Sequence, residues 1–123
     1  MQVKIENLSA AALDWAVAKC EFPEPDYEPD AWLGYITEGC SDDGWVFKPS
    51  SDWAQGGEII EREGISVWAR GDEWAAESFI PNKQGLECIG ATPLIAAMRC
   101  YVASKLGDEV EVPEEIYYMV YPD

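Results

Sequence analysis

The segment 92–107 constrains this chain more than any other. Thr92 is a helix N-cap residue, Pro93 stands at the first helical position, where its missing N–H does no harm, and Gly107 lies just past the end. Between them Leu94, Ile95, Met98, Tyr101, Val102 and Leu106 recur at helical spacing as a stripe to be buried, flanked by Arg99 and Lys105. A helix this apolar needs cover from the rest of the chain. A second helix stands near the N-terminus, running to about Cys20. Ser9 is its N-cap, Leu8 and Leu13 occupy the positions of a hydrophobic staple, and Leu13, Val17 and Cys20 recur at helical spacing. Ala10, Ala11, Ala12, Ala16 and Ala18 give it small faces that allow close approach to a sheet or another helix, and Trp15 reads as packing.

The remaining segments read mainly as strands and turns. Residues 2–6 alternate with Val3 and Ile5 on one side, and residues 65–69 set Ile65, Val67 and Ala69 against Ser66 and Trp68. Arg70, Gly71 and Asp72 make a turn, and 73–77 returns with Trp74 and Ala76 on one face, a hairpin. Residues 31–37 and 45–47 predict two further short strands joined by a turn at 38–44. Residues 78–90 read as loop, 108–112 as a short acidic strand, 113–116 as a turn beginning at Pro113, and 117–123 as an extended tail suited to an edge strand. The expectation is one α+β domain over 1–123, with two main helices packed on a short, mostly antiparallel sheet. At 123 residues and 48% hydrophobic content, such a domain can bury roughly two thirds of its unfolded surface.

Charge and composition exclude several functions. Twenty-four acids against eight bases give a net charge of −16, which opposes direct binding to a nucleic-acid backbone. Pro23, Pro25 and Pro29 alternate with acids over 21–30, predicting an extended acidic loop. The chain has no histidine, which removes the commonest general base and metal ligand together. An all-carboxylate site remains open, but no nucleophile or metal signature supports an enzyme, so no catalytic residue, metal or cofactor is assigned. Asp42, Asp43 and Gly44 lack the alternating oxygen ligands of a calcium loop. Cys20, Cys40, Cys88 and Cys100 form no Cys-x-x-Cys motif and read as free thiols in a reducing compartment. No apolar run is long enough for a signal peptide or a membrane span, which predicts a cytoplasmic protein.

One stretch carries more polar chemistry than core building requires. Residues 49–60 place Ser50, Ser51, Asp52, Trp53, Gln55, Gly56 and Gly57 in one turn-rich segment. Asp52 can cap a single helical turn, with Gln55 reaching back and Gly56 supplying a left-handed stop, followed by one or two turns of helix over 58–63. That leaves Ser50, Ser51, Trp53 and Gly57 unexplained. Backbone N–H groups opened by glycines suit an anion or a polar ligand edge, and Trp53 offers a stacking face. The candidate ligand site is therefore Ser51, Asp52, Trp53, Gln55, Gly56 and Gly57, joined by Thr92 and Arg99 from the start and flank of the later helix. Arg62, Arg70 and Arg99 are the cations expected near a phosphate.

Residues 13–19 (Leu-Asp-Trp-Ala-Val-Ala-Lys), 51–62 and 92–116 closely resemble the NinX-like proteins of tailed bacteriophages, encoded in the accessory region of lambda-like phages and elsewhere. The sequence departs from that pattern with Glu58 where many relatives have proline, Ser51 where many have threonine, a longer acidic segment before Trp45 and an extension after Ile116. The resemblance implies a phage origin and a cytoplasmic role in the infected bacterial cell, and supplies no mechanism.

Two functions of different class fit these residues. The first is a binding module that holds a small polar ligand or nucleotide at the 51–57 loop and so counters a host defence signal. The second is an acidic inhibitor or DNA mimic, whose carboxylates over 21–30 and 108–115 engage a basic host protein. The aromatic residues would suit a homo-oligomer interface as well as a crowded core.

Overall fold

The computed structural model describes residues 1–22, 34, 36, 45–78 and 86–122. In chain order the elements are β1 (Gln2–Lys4), a 3-10 turn (Ile5–Asn7), α1 (Ala10–Glu21), α2 (Trp53–Glu63), β2 (Ser66–Arg70), β3 (Glu73–Ser78), β4 (Leu86–Gly90), α3 (Pro93–Leu106), β5 (Glu109–Glu111) and α4 (Glu114–Val120). This is an α+β fold with two antiparallel sheets, β1-β5 and β2-β3-β4.

Helix α3 is its centre. Thr92 Oγ1 accepts the Ile95 N–H at 3.1 Å, Pro93 opens the first turn, and Gly107 at φ 95° ends the helix. It packs against all three strands of the larger sheet and against α1 and α2. Its burial is therefore broader than a stripe: Ala96, Ala97 and Cys100 are as buried as Leu94, Met98, Tyr101 and Val102. Helix α1 buries every residue from Ala12 to Ala18. Leu8 and Leu13, the staple pair, are fully buried, each contributing about 2–3 kcal/mol of apolar transfer. The Ser9 side chain makes no cap bond; its carbonyl accepts from Ala12 and Leu13.

In the larger sheet β3 is central. The Arg70–Glu73 pairing leaves Gly71 and Asp72 as a two-residue loop, and Gly71 takes the positive φ, 63°, that such a loop needs. Gly90 faces α3 so closely that an added Cβ would stand 2.6 Å from the Ala96 nitrogen. By strand alternation Leu86 and Cys88 point to the same side.

Several expectations are corrected. The first strand ends at Lys4, and Ile5 begins a 3-10 turn while remaining buried. Leu86–Gly90 is a strand within the segment read as loop, held by antiparallel pairing to β3. The tail is not an edge strand: Glu114–Val120 is helical, with Pro113 at its N-cap, two acids in its first turn and Ile116 buried, and it packs on α1. Residues 45–47 form no strand, for a reason given below. Gly34 and Ile36, the described part of 31–37, are helical, since a short apolar run does not distinguish the two states. The acidic loop from residue 23 to 30 and the 38–44 turn lie outside the described residues. No helix among the described residues is long and apolar enough to cross a membrane.

Candidate functional site

Residues 45–48 belong to neither described sheet, and one side chain meets their backbone. The Gln55 amide donates to the Val46 carbonyl at 2.8 Å, and its oxygen accepts the Lys48 N–H at 2.9 Å. These two groups flank residue 47, so Gln55 meets them as a neighbouring strand would. Phe47 is buried between Phe22 and Trp45, with ring centroids at 6.4 and 6.0 Å.

The chain then turns at Pro49. The Ser51 and Asp52 N–H groups both donate to the Lys48 carbonyl, at 3.0 and 2.9 Å. The turn is fixed from beneath by Asp14 of α1, whose carboxylate accepts the Ser50 N–H at 2.8 Å and the Ser50 hydroxyl. Asp14 and Ser50 are both buried. Burial pushes the Asp14 carboxyl up from 3.8 to about 6, against the lowering effect of the Ser50 bonds and of Lys48. The sequence reading did not single out Asp14. Its signal was an acid set among Leu13, Trp15, Ala16 and Val17, on a helix buried nearly all round.

Asp52 caps α2, its Oδ1 accepting the Ala54 N–H at 2.9 Å. Gln55 reaches back to the Asp52 carboxylate at 3.1 Å, not to its backbone N–H as a capping box would. Gly56 is no helix stop. The helix continues to Glu63, and Gly64 supplies the left-handed end at φ 66°. Gly56 is instead a site of close packing: a Cβ there would lie 2.3 Å from the Pro49 carbonyl oxygen and 2.6 Å from Leu94 Cδ2. At Gly57 the nearest atom to such a Cβ is Trp53 Cε3 at 3.8 Å, so nothing steric requires glycine there.

This packing sets the starts of α2 and α3 side by side. A cleft of about 250 Å³ lies between them, lined by Ser50, Ser51, Trp53, Thr92, Pro93, Leu94 and Ile95. Ser51, Trp53 and Thr92 are thus together, while Asp52, Gln55 and Gly56 build the support. Trp53 is 58% exposed, the most exposed of the large hydrophobic side chains among the described residues. Among the described residues no carboxylate lines the cleft, in a chain that carries 24.

Arg99 does not join it. It stands two turns along α3, about 10 Å from Thr92, and donates to the Leu8 and Ile89 carbonyls at 2.9 and 2.8 Å. Its role there is to tie α3 to the start of α1 and to β4. Arg62 is engaged with Glu21 and Glu63, and Arg70 with Glu87. The cations expected beside a phosphate are therefore committed elsewhere. Among the described residues, no group of three or more acids and cysteines could hold a metal ion.

Comparison with known proteins gives one match. The profile of the family described as Bacteriophage P22, NinX matches residues 4–105, a span that runs from β1 to the last turn of α3 and includes the whole cleft. No curated protein matches the chain.

Proposed function

Because this chain belongs to the bacteriophage P22 NinX family, and so to the accessory proteins of a phage, we propose that it works by binding rather than catalysis. Its ligand is a small polar molecule carrying a flat heterocycle, such as a nucleotide. The observation that carries this reading is Trp53, a large indole left exposed on the rim of a cleft whose lining, among the described residues, has no carboxylate. Base stacking on such a face contributes about 1–3 kcal/mol. The Ser51 and Thr92 hydroxyls and the Leu94 N–H supply polar contacts to the ring edge. A cleft of about 250 Å³ takes a base and leaves the remainder of a nucleotide in solvent, which suits a site without a cation to hold phosphates. In an infected cell, sequestering a signalling nucleotide would blunt a host defence.

The test is an amide-shift titration of the labelled protein with a panel of mononucleotides and cyclic nucleotides. The reading expects saturable shifts at Trp53, Leu94 and Ile95 that vanish in Trp53→Ala. Shifts scattered over the basic side chains instead would mark non-specific phosphate attraction and defeat it.

A second reading draws on Asp108, Glu109, Glu111, Glu114 and Glu115, all exposed on β5, α4 and the residues beside them. Such a face would engage a basic host protein. Charge reversal at Glu114 and Glu115 should then abolish capture of that partner, and capture that persists in molar salt would exclude it.

A further inference from the structure

A cavity of about 660 Å³ opens on the other flank of α3, lined in part by Ile5, Cys88, Ile89, Arg99, Ala103 and Asp108. The cleft does not use it, and it shares only Asp108 and Glu109 with the acidic surface. Cys88 is half-buried and reaches this cavity from β4. Cys100 is buried on α3, its Sγ 3.2 Å from the Leu86 carbonyl oxygen. Leu86 and Cys88 lie on the same side of β4, the side facing α3, so the strand directs Cys88 toward the helix that carries Cys100, and the two side chains are hydrogen-bonded. Arg99 is anchored beside them by its 2.8 Å bond to the Ile89 carbonyl, the residue after Cys88.

We propose that Cys88 and Cys100 form an oxidant-reactive dithiol, in which Cys88 meets the oxidant from the cavity and Cys100 resolves it to an intramolecular disulfide. The oxidant is a small peroxide. The Cys88 thiolate attacks one peroxide oxygen, the O–O bond breaks, and the departing hydroxide takes a proton to leave as water. Cys88 is then a sulfenic acid. The Cys100 sulfur attacks the Cys88 sulfur, the S–O bond breaks, and a second water carries away the Cys100 proton. The electrostatics act in the same direction. The hydrogen bond with Cys100 is the largest influence on the Cys88 thiol and holds it below the usual range, aided by Arg99 and opposed by burial, Glu87 and Asp108. Cys100 is raised by that same bond and by burial, so it stays protonated until the sulfenic acid forms and gives up its proton as it attacks. Cys20, pushed up to about 12 mainly by burial, serves as the internal control.

The test treats the folded protein with a small excess of hydrogen peroxide, alkylates the remaining thiols, and maps the unreduced digest by mass spectrometry. The expected result is a monomer lighter by two hydrogens, a peptide joining Cys88 to Cys100, and Cys20 alkylated as a free thiol. In Cys100→Ser, dimedone should trap the sulfenic acid on Cys88. Without oxidant, iodoacetamide should label Cys88 about tenfold faster than Cys20. A bond from Cys88 to Cys20, to Cys40 or to another chain would overturn the proposal. So would Cys88 and Cys100 both surviving peroxide that oxidises the urea-unfolded protein. Should Cys100→Ser fail to fold, the wild-type map alone decides.

Discussion

Asp14 shows how one residue couples burial, charge and the site. Its folded value of about 6 stands above the ordinary 3.8, so between about pH 4 and 6 the folded protein holds a proton that the unfolded chain has released. The stability this contributes is full at low pH and is lost as pH rises through 6. Asp14→Asn removes that slope and keeps an oxygen to accept the Ser50 N–H. The variant should therefore gain on the wild type as pH rises from about 4 to 7, within a ceiling of about 3 kcal/mol, as read from urea midpoints; a constant difference would contradict the assignment. Asp14→Ala removes the same slope but leaves the buried Ser50 N–H without its acceptor, and should lie about 1–3 kcal/mol below Asp14→Asn at any pH. The two glycines of α2 separate in the same way. Gly56→Ala drives a Cβ into the Pro49 carbonyl and should destabilise by about 1–3 kcal/mol, whereas Gly57→Ala has room and should be neutral or stabilising by up to about 1 kcal/mol. Equal effects from the two would show that backbone freedom, not packing, explains the pair.

Among the elements, α1, α3 and the hairpin were legible in the sequence because their ends carry local chemistry: Ser9, Thr92 with Pro93, and Gly71. The elements that were missed are held by distant partners or by signals read too narrowly. Strand β4 is five residues whose extension depends on pairing with β3. Helix α4 had its signals in Pro113, Glu114 and Glu115, but the segment was read as a turn. In α2 the Gly-Gly pair looked like a terminus, because the closeness of Pro49 and Leu94 cannot be seen in one dimension. The extended segment at 45–48 was recognised as extended and wrongly given a sheet, since Gln55 takes the place of a strand. Gln55→Glu keeps an acceptor for Lys48 but loses the donor to Val46 and faces Asp52 with a second carboxylate. It should destabilise by about 1–3 kcal/mol, with the Lys48 amide exchanging faster by hydrogen exchange. An unchanged Lys48 amide would mean that this segment is held by other contacts. Of the candidate site, the structure brings Ser51, Trp53 and Thr92 together and sets Arg99 apart; a position flanking the stripe gives no hint of the two carbonyls it serves.

At the scale of the whole molecule, a net charge of −16 bears on stability. Self-repulsion should ease as salt rises, so the thermal midpoint should climb between ~0.01 M and ~1 M sodium chloride as the Debye length falls from ~30 to ~3 Å; a falling midpoint would mean that ion pairs such as Arg62 with Glu21 outweigh the repulsion. On the proposed reading, a cleft with no carboxylate among its described lining residues is where a small polar ligand meets least opposition. The most direct measurement is native mass spectrometry of the protein drawn from an infected-cell lysate, followed by denaturation to release what it holds. The binding account predicts one small molecule per chain, absent from Trp53→Ala, with the variant's melting temperature nearly unchanged. A chain that comes out empty, or a ligand that Trp53→Ala retains in full, would contradict it.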